Sequence, residues 1–312
     1  MKNVLVIYYT QSGQLLEIAQ NVAQELEDST NVSVSYHQIK PVEEFGFPWK
    51  ADKFYDVFPE SFLQIPCKLE EPNPEIFTKK YDLVILAYQV WYLTPSVPIN
   101  SFLKSESAKK IIKDTPVVTL IACRNMWIKA QEKMKHLLIE NQANLVGNIA
   151  LVDRNINHVS VITIEKWMMN GKKEKYLGVF PKPGVSQKDI DESVKFGKPI
   201  LESLNKNDFT SLQENLVSIG AVVVKSFLIS MDKRANVIFD KWSNFIIKKG
   251  KPGQPKRLKW VRVFDKYLKF AIWFFGPVLF IVFLLTYLPF IGKIKKDKKY
   301  YASVKLKGIS KT

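Results

Sequence analysis

The sequence is poor in cysteine and histidine, with two and three of them among 312 residues. Two cysteines cannot build a disulfide scaffold, and no Cys-x-x-Cys pair or His/Cys cluster has the spacing of a zinc site. The sequence also shows no small-residue cleavage site, because residues 1–7 enter an apolar run at once. We therefore expect a first strand at the N-terminus, no bound metal and a cytoplasmic protein.

Acidic residues are scarce at one end of the chain only. The sequence holds 46 Lys and Arg against 30 Asp and Glu, but residues 1–247 hold 29 against 28 and residues 248–312 hold 17 against 2. The long first part is nearly neutral, which argues against a nucleic-acid partner. The excess of positive charge belongs to a C-terminal tail.

Residues 270–292 of this tail form an uncharged apolar segment of 23 positions. A helix of that length crosses ~30 Å of hydrocarbon, and basic residues on both sides favour attraction to anionic lipid head groups. The two flanks carry similar positive charge, so the positive-inside rule cannot orient a span. A single span, a re-entrant or interfacial segment, and a buried core helix with a solvated basic tail all remain open.

Strand and helix patterns alternate over the first half of the sequence. Short apolar or alternating runs predict five strands, at residues 4–9, 31–39, 82–88, 116–123 and 145–152. Helical periodicity predicts crossovers at residues 15–27, 97–112 and 127–141. Right-handed crossovers then give an α/β fold with a doubly wound, five-stranded parallel sheet of order 2-1-3-4-5.

The whole chain divides into three predicted parts. Residues 1–153 form the α/β domain, residues 154–247 a mainly helical extension packed on it, and residues 248–312 the basic, membrane-associating tail. We expect truncation after Ile247 to leave a soluble α/β domain, because the predicted strands all lie before it.

Two regions depart from a minimal α/β pattern. Residues 40–80 are too long for a plain connection and rich in aromatic residues and proline, which predicts a functional lid or an insertion with its own packing. Residues 156–167 are expected to be a strand or irregular. Ser186 is expected to cap a helix over residues 190–204.

The most informative stretch joins the first strand to the first helix. Its polar loop and helix start comprise Thr10, Gln11, Ser12, Gly13, Gln14 and Leu15. Such a turn aims backbone N–H groups and the positive helix end at one point, which suits a phosphate monoester. The stretch matches neither a Walker A loop nor a Gly-x-Gly-x-x-Gly loop. A plain βα turn with incidental polar residues is the alternative.

This stretch resembles the flavodoxin fingerprint, an apolar strand followed by Ser/Thr-x-Ser/Thr-Gly-Asn-Thr and a helix with Ile or Leu and Ala. Five positions match the pattern, namely Thr10, Ser12, Gly13, Ile18 and Ala19. Gln14 stands where Asn is usual, and Leu15 replaces the last Thr, which removes one hydroxyl from the loop. The resemblance implies that FMN binds here through its phosphate.

The resemblance also implies that two further strand-end loops hold the isoalloxazine ring. Ligands in open α/β sheets lie beyond the carboxyl ends of the strands. The loop residues concerned are Gln89, Val90, Trp91 and Tyr92 after the third strand, and Cys123, Arg124 and Asn125 after the fourth. Trp91 or Tyr92 is expected to stack on the ring, and Asn125 to bond its pyrimidine edge.

A narrower resemblance covers nearly the whole chain. The stretches YYTQSGQL, YQVWYLTPS, CRNMW and WMMNGKKE, with the basic hydrophobic C-terminus, resemble the flavodoxin-like dialkylresorcinol-condensing enzymes of Bacteroidetes. These enzymes accompany a ketosynthase in making dialkylresorcinols and flexirubin-type pigment precursors. The resemblance implies an aromatase that oxidises a long-chain cyclohexanedione to a resorcinol, with a ketosynthase as possible partner. A Claisen-type condensation would need a nucleophilic Cys with His partners, and Cys67 and Cys123 lack that setting.

Such an oxidation requires a base for the proton and a flavin for the hydride. His158 and Tyr92 are candidate bases, Asp153 and Glu165 are two more, and Arg124 is expected to hold an enolate oxygen. Two other functions stay open. One is a membrane-docked quinone reductase or electron carrier of flavodoxin-like fold, and the other is a non-catalytic scaffold.

Overall fold

The computed structural model describes residues 1–306 of the chain. Five parallel strands form the sheet: β1 Lys2–Tyr8, β2 Val32–Gln38, β3 Leu83–Trp91, β5 Pro116–Cys123 and β6 Asn144–Val152. The two-residue strand β4, Thr94–Pro95, folds back antiparallel onto the end of β3. The end of the predicted basic tail, residues 307–312, lies outside the described residues.

The sheet order is β2-β1-β3-β5-β6, with every neighbouring pair parallel. This confirms the predicted order, since the third to fifth long strands of the chain are β3, β5 and β6. The central strands are buried on both faces, as their continuous apolar runs require. The chain therefore has an α/β, doubly wound, flavodoxin-like fold.

Helices cover both faces of the sheet and build the C-terminal region. In the first half they are α1 Gln14–Glu27, α2 Ala51–Asp56, α3 Phe58–Phe62, α4 Val97–Leu103, α5 Glu106–Ile112 and α6 Ile128–Glu140. In the second half they are α7 Asn157–Asn170, α8 Gln187–Asp191, α9 Gly197–Lys206, α10 Leu212–Ser218, α11 Ser226–Ile247, α12 Pro255–Phe270, α13 Gly276–Tyr287 and α14 Ile291–Tyr301.

The expectation of a strand or irregular structure at residues 156–167 is wrong, because these residues belong to α7. The β-branched residues of this stretch favour a strand locally, but tertiary contacts decide. Trp167 and Ser160 are buried on one side of the helix, and Gly171 ends it with a left-handed φ of 76°. Ser186 caps a helix as expected, accepting a hydrogen bond from the Asp189 N–H at 3.1 Å. The single helix predicted over residues 190–204 is instead divided into α8, a 3₁₀ helix at residues 192–196 and α9.

Residues 40–80 build a second hydrophobic core together with the C-terminal helices. Phe58 of α3 stacks on Phe264 of α12 with ring centroids 4.0 Å apart, and Phe239 of α11 meets both rings edge-on. Arg257 at the start of α12 is fully buried and pairs with Asp56 and Glu60 of the insertion. Residues 40–80 are therefore not a plain connection, because they pack into a core that they share with α11 and α12.

The apolar segment belongs to one long helix that runs from Pro255 to Tyr287 through α12, a π-helical turn at residues 271–275 and α13. Its 33 residues include a stretch of mean hydropathy 2.3, none of which is buried, so it is not a core helix. One side of the long helix packs against α11, through Phe264 near one end and Phe283 near the other. The opposite side is exposed.

The chain returns to the body of the protein after this segment. Tyr301 at the end of α14 is buried in the main core, and Asp297 pairs with Lys233 of α11 at 2.8 Å. Both flanks of the apolar segment thus lie on the same folded body. A single span with its flanks on opposite sides of a membrane is incompatible with this arrangement, whereas an interfacial or re-entrant segment is compatible.

The same packing changes the expectation for truncation after Ile247. Removal of the tail would take Val261 and Phe264 from the second core and Tyr301 from the main core. It would also leave Asp56 without its buried cation. We now expect the truncated chain to aggregate rather than to form a soluble domain.

Candidate functional site

The structure brings the three strand-end loops to one cavity of about 200 Å³, which we call the first cavity. It is lined from the first loop by Gln11, Ser12, Gln14 and Leu15, from the second by Gln89, Val90, Trp91 and Tyr92, and from the third by Cys123 and Arg124. Thr10, Gly13 and Asn125 are not among the lining residues. A cavity of roughly 150 Å³ holds a single benzene ring, so this one can enclose part of a larger ring system.

The loop at residues 10–13 has the geometry of an anion site. Thr10 Oγ1 accepts a hydrogen bond from the Gly13 N–H at 3.2 Å, and Gly13 has a φ of 82°, which glycine adopts without strain. No side chain within residues 1–306 caps α1, so the N–H groups of its first turn point toward the loop without such a partner. A helix of 14 residues starting this way attracts a phosphate.

Gln14, which stands in the position of the usual Asn, has a structural role. Its Oε1 accepts from the Val185 N–H at 3.1 Å, and its Nε2 donates to the Val185 carbonyl at 3.2 Å. Gly184 lies against it with a φ of 80°, where a Cβ would come within 2.7 Å of the Trp167 ring. Gln14 therefore holds the segment before α8 against the start of α1 through two hydrogen bonds. Its position in the loop sequence did not predict this structural role.

Aromatic side chains form much of the cavity wall. The Trp91 ring meets Tyr9, Phe45 and Trp49 edge-on, with centroids 5.1 to 5.9 Å apart. Trp49 and Phe54 come from the insertion and also line the cavity. Neither residue was predicted to belong to the site, although the many aromatic residues at positions 40–80 could have indicated that this region covers a ligand.

Helix α7 contributes the remaining wall. Ile164, Trp167 and Met168 line the cavity, and the Lys173 ammonium lies 6.0 Å from the Trp167 ring centroid. Burial lowers the pKa of Lys173, while Glu17 in the first turn of α1 raises it. Because residues 156–167 were expected to be a strand or irregular, the sequence did not predict that a helix lines this cavity.

One residue that lines the cavity, Gln89, has a buried side-chain oxygen. Gln89 Oε1 has no hydrogen-bond partner among the described residues, although it is shielded from solvent. An unpaired buried acceptor costs about 1–3 kcal/mol unless a ligand satisfies it. The aromatic wall and the uncapped start of α1 match the ring and the phosphate of FMN.

Arg124 is the only cationic residue lining the first cavity within residues 1–306. Its Nη1 donates to Asn157 Oδ1 at 2.8 Å, and no carboxylate of the described chain forms an ion pair with it. Burial lowers the pKa of Arg124 to about 10, so it stays charged at neutral pH. It is available to an anionic oxygen of a ligand.

Tyr92 lines the first cavity but is poorly suited to act as a base. Its hydroxyl donates to the Phe54 carbonyl at 2.7 Å, and burial raises the pKa of Tyr92 well above its ordinary value. Its φ of 48° and that of Leu93, 63°, form the tight turn between β3 and β4. Tyr92 thus connects the β3 loop to the insertion.

The other three candidate bases lie outside the first cavity. His158 Nε2 is 3.2 Å from the Ile272 carbonyl oxygen, and its ring packs on Trp273 of the long helix. Asp153 accepts from Ser160 Oγ at 2.7 Å near the start of α7. Glu165 pairs with Lys269 at 2.8 Å. Each has a protein partner that explains its position.

Both cysteines are unsuited to nucleophilic catalysis. Burial raises the pKa of Cys123. Burial also raises the pKa of Cys67, although a hydrogen bond that Ser101 Oγ donates to its sulfur acts in the opposite direction. A nucleophilic cysteine requires a lowered pKa, because the thiolate is the reactive form. The geometry therefore supports redox chemistry on a bound cofactor better than condensation.

No protein-family model and no curated protein matches the chain. Among solved structures it is similar to a Lactobacillus acidophilus flavoprotein in complex with FMN, with 20% identity and a TM-score of 0.38 over 48% of this chain and 93% of that one. A flavodoxin from the domain Archaea shares 14% identity at a TM-score of 0.37, covering 66% of this chain and 99% of that one. Oxidised flavodoxin 1 from Bacillus cereus shares 13% at 0.34, covering 63% and 95%. The flavodoxin-like fold itself follows from the strand order.

Proposed function

We propose that this protein is an FMN-dependent oxidoreductase that works at a membrane surface. The observation that carries the proposal is the first cavity, in which three strand-end loops supply an anion site, an aromatic wall and an unpaired acceptor. Several structurally similar proteins are described as flavoproteins, and one contains FMN.

The residues that would hold FMN come from the three loops. The hydroxyls of Thr10 and Ser12 and the N–H groups of the first turn of α1 would bind the phosphate. Trp91 or Trp49 would contact the ring face, and Gln89 would accept from its N–H edge. FMN supplies a hydride acceptor when bound.

For the substrate we propose a long-chain cyclohexanedione, oxidised to a dialkylresorcinol. Oxidation removes a hydride and a proton from the ring, and the proton leaves to solvent. Arg124 would hold the enolate oxygen of the 1,3-diketone, because it is a charged donor without a carboxylate partner in the described chain. That interaction favours the deprotonated substrate and reduces the need for a separate base, which fits a cavity lined by no carboxylate or imidazole of residues 1–306.

The long apolar helix would place this site at the membrane. Its exposed face carries large apolar side chains such as Phe274, Ile281 and Leu285, which are 57%, 57% and 76% exposed. An exposed apolar surface of this kind with basic flanks is typical of a protein that lies in the lipid interface. A ketosynthase that supplies the cyclohexanedione would be a partner of the same pathway.

The test is purification of the full chain in mild detergent, followed by absorbance and turnover measurements. We expect a bound flavin spectrum, identified as FMN after heat release, and bleaching of that spectrum by a dialkylcyclohexanedione under anaerobic conditions. Protein without flavin, which also fails to bind added FMN, would contradict the proposal and favour a scaffold. Bleaching by a quinol but not by the cyclohexanedione would favour the quinone reductase or electron carrier.

A further inference from the structure

A second cavity lies beside the first, between α11 and the long C-terminal helix. It measures about 400 Å³, within the range of ligand pockets of roughly 300–1,000 Å³. Its walls are mainly apolar, with Met231, Ala235, Ile238 and Phe239 from α11 on one side. No local sequence pattern indicates this cavity, because its walls come from segments far apart in the chain.

The two cavities share a wall. Val90, Tyr92, Cys123 and Arg124 line both of them. Arg124 is thus accessible from either side, and the first cavity, proposed to hold the flavin ring, adjoins the second directly. A molecule in the second cavity would place its end against the residues that contact that ring.

The far wall of the second cavity is the inner face of the apolar helix. Ala271, Ile272, Phe275 and Leu279 line it at helical spacing. Phe274 and Val278 of the same turns do not line the cavity and are about half exposed. One helix thus separates the cavity from the surface proposed to contact lipid.

The helix is irregular at this wall. Residues 271–275 form a π-helical turn just before Pro277, which has no N–H to offer the carbonyls of the preceding turn. His158 Nε2 lies 3.2 Å from one of these carbonyls, that of Ile272. His158 is therefore a positioning residue that supports the wall of the second cavity.

From these observations we propose that the second cavity binds the apolar chain of an amphiphilic substrate that enters from the lipid, with its acidic or enolic oxygen at Arg124. The proposal rests on the proposed function for the identity of the neighbouring ring. Its own basis is the apolar lining, Arg124 at the inner end, which forms no ion pair with a carboxylate of residues 1–306, and the apolar helix at the outer end. Arg234, which is exposed, lies at the rim, where it suits the charged lipid surface.

The test uses a dodecyl-cyclohexane-1,3-dione with a terminal photoreactive diazirine, added to the full chain on vesicles of equal parts phosphatidylcholine and phosphatidylglycerol. We expect crosslinks on the parts of α11 and the long helix that line the second cavity. Ala235→Trp should reduce labelling at least about tenfold, since each methylene excluded from burial lowers affinity about fourfold. Val237→Trp, on the exposed side of α11, is the matched control and should label like the unmodified protein.

Leu279→Trp narrows the same cavity from the other wall and covers the case in which Ala235→Trp does not fold. The far-UV circular dichroism spectrum and the melting temperature of each variant report its folding independently of both labelling and FMN binding. Unchanged labelling in the folded cavity variants, or labels confined to the outward face of the long helix, would overturn the proposal. Absence of FMN from the unmodified protein would contradict the proposed function instead, while cavity-specific labelling would still support the chain site.

Discussion

Replacement of Arg257 by Met should separate the long helix from the insertion. Arg257 is fully buried, and its guanidinium donates to Asp56 Oδ1 at 2.6 Å and to the two carboxylate oxygens of Glu60 at 2.7 and 2.5 Å. Met fills similar space but leaves two carboxylates facing each other without a cation. Removal of one partner from a buried ion pair costs about 3–5 kcal/mol, and we expect a loss of that size in the free energy of unfolding.

The assay is urea unfolding followed by tryptophan fluorescence, because Trp49, Trp242 and Trp260 lie in or beside the second core. The matched control is the triple variant Asp56→Asn, Glu60→Gln, Arg257→Met, which removes the uncompensated charge. It should recover at least half of the loss, since replacing a whole ion-pair network costs less than breaking it. A loss below about 1 kcal/mol for Arg257→Met, or a triple variant no more stable than the single one, would refute the reasoning.

Three further predictions concern the loop at residues 10–13, the exposed apolar face of the long helix and the buried carboxyl group of Asp232. Ser12→Asp should abolish FMN retention, measured by absorbance after gel filtration, because it sets a carboxylate against the phosphate. Ile281→Glu with Leu285→Glu should reduce flotation with anionic vesicles at least tenfold without lowering the melting temperature, since both side chains are exposed. Burial raises the pKa of Asp232 to about 7, so the stability that its protonated form provides should be lost as pH rises from about 4 to about 7. Asp232→Asn should flatten this part of the melting-temperature profile.

Each of these predictions has a control. Ser12→Thr keeps the hydroxyl and should keep FMN. For the exposed apolar face, high salt should release only part of the unmodified protein from the vesicles. Salt screens the attraction between the basic flanks and anionic lipid but does not prevent burial of the apolar side chains. At Asp232, the Asn side chain can still accept from the Ile128 N–H, which the carboxylate accepts at 3.1 Å. A profile equally steep in the variant would show that another group titrates.

The sheet and the three loops were predictable because their signals are local. Each central strand is an apolar run buried on both faces, and the polar residues that follow it mark the ligand edge. The second core was not predictable in the same way. Arg257 and Asp56 are 201 residues apart, and no local sequence pattern in either segment predicts that the two pair.

Two features of the site were not visible in the sequence for a related reason. Residues 157–170 have β-branched side chains that favour a strand in isolation, yet burial of Trp167 against the first cavity makes them a helix. Gln14 lines the first cavity as a phosphate-loop residue, and its side-chain amide also bonds the backbone of Val185. In both cases a partner distant in sequence decides the role, whereas a pattern reports only the neighbours along the chain.

If the protein binds a membrane as proposed, the return of the chain after the apolar segment, which anchors Tyr301 in the main core, has a kinetic consequence. A body held along one leaflet meets a lipid-dissolved substrate by lateral diffusion in two dimensions. The turnover rate should then depend on the mole fraction of substrate in the bilayer rather than on the bulk concentration of substrate. Dilution of the substrate with inert lipid, at constant total substrate and with all protein bound, should slow turnover in proportion.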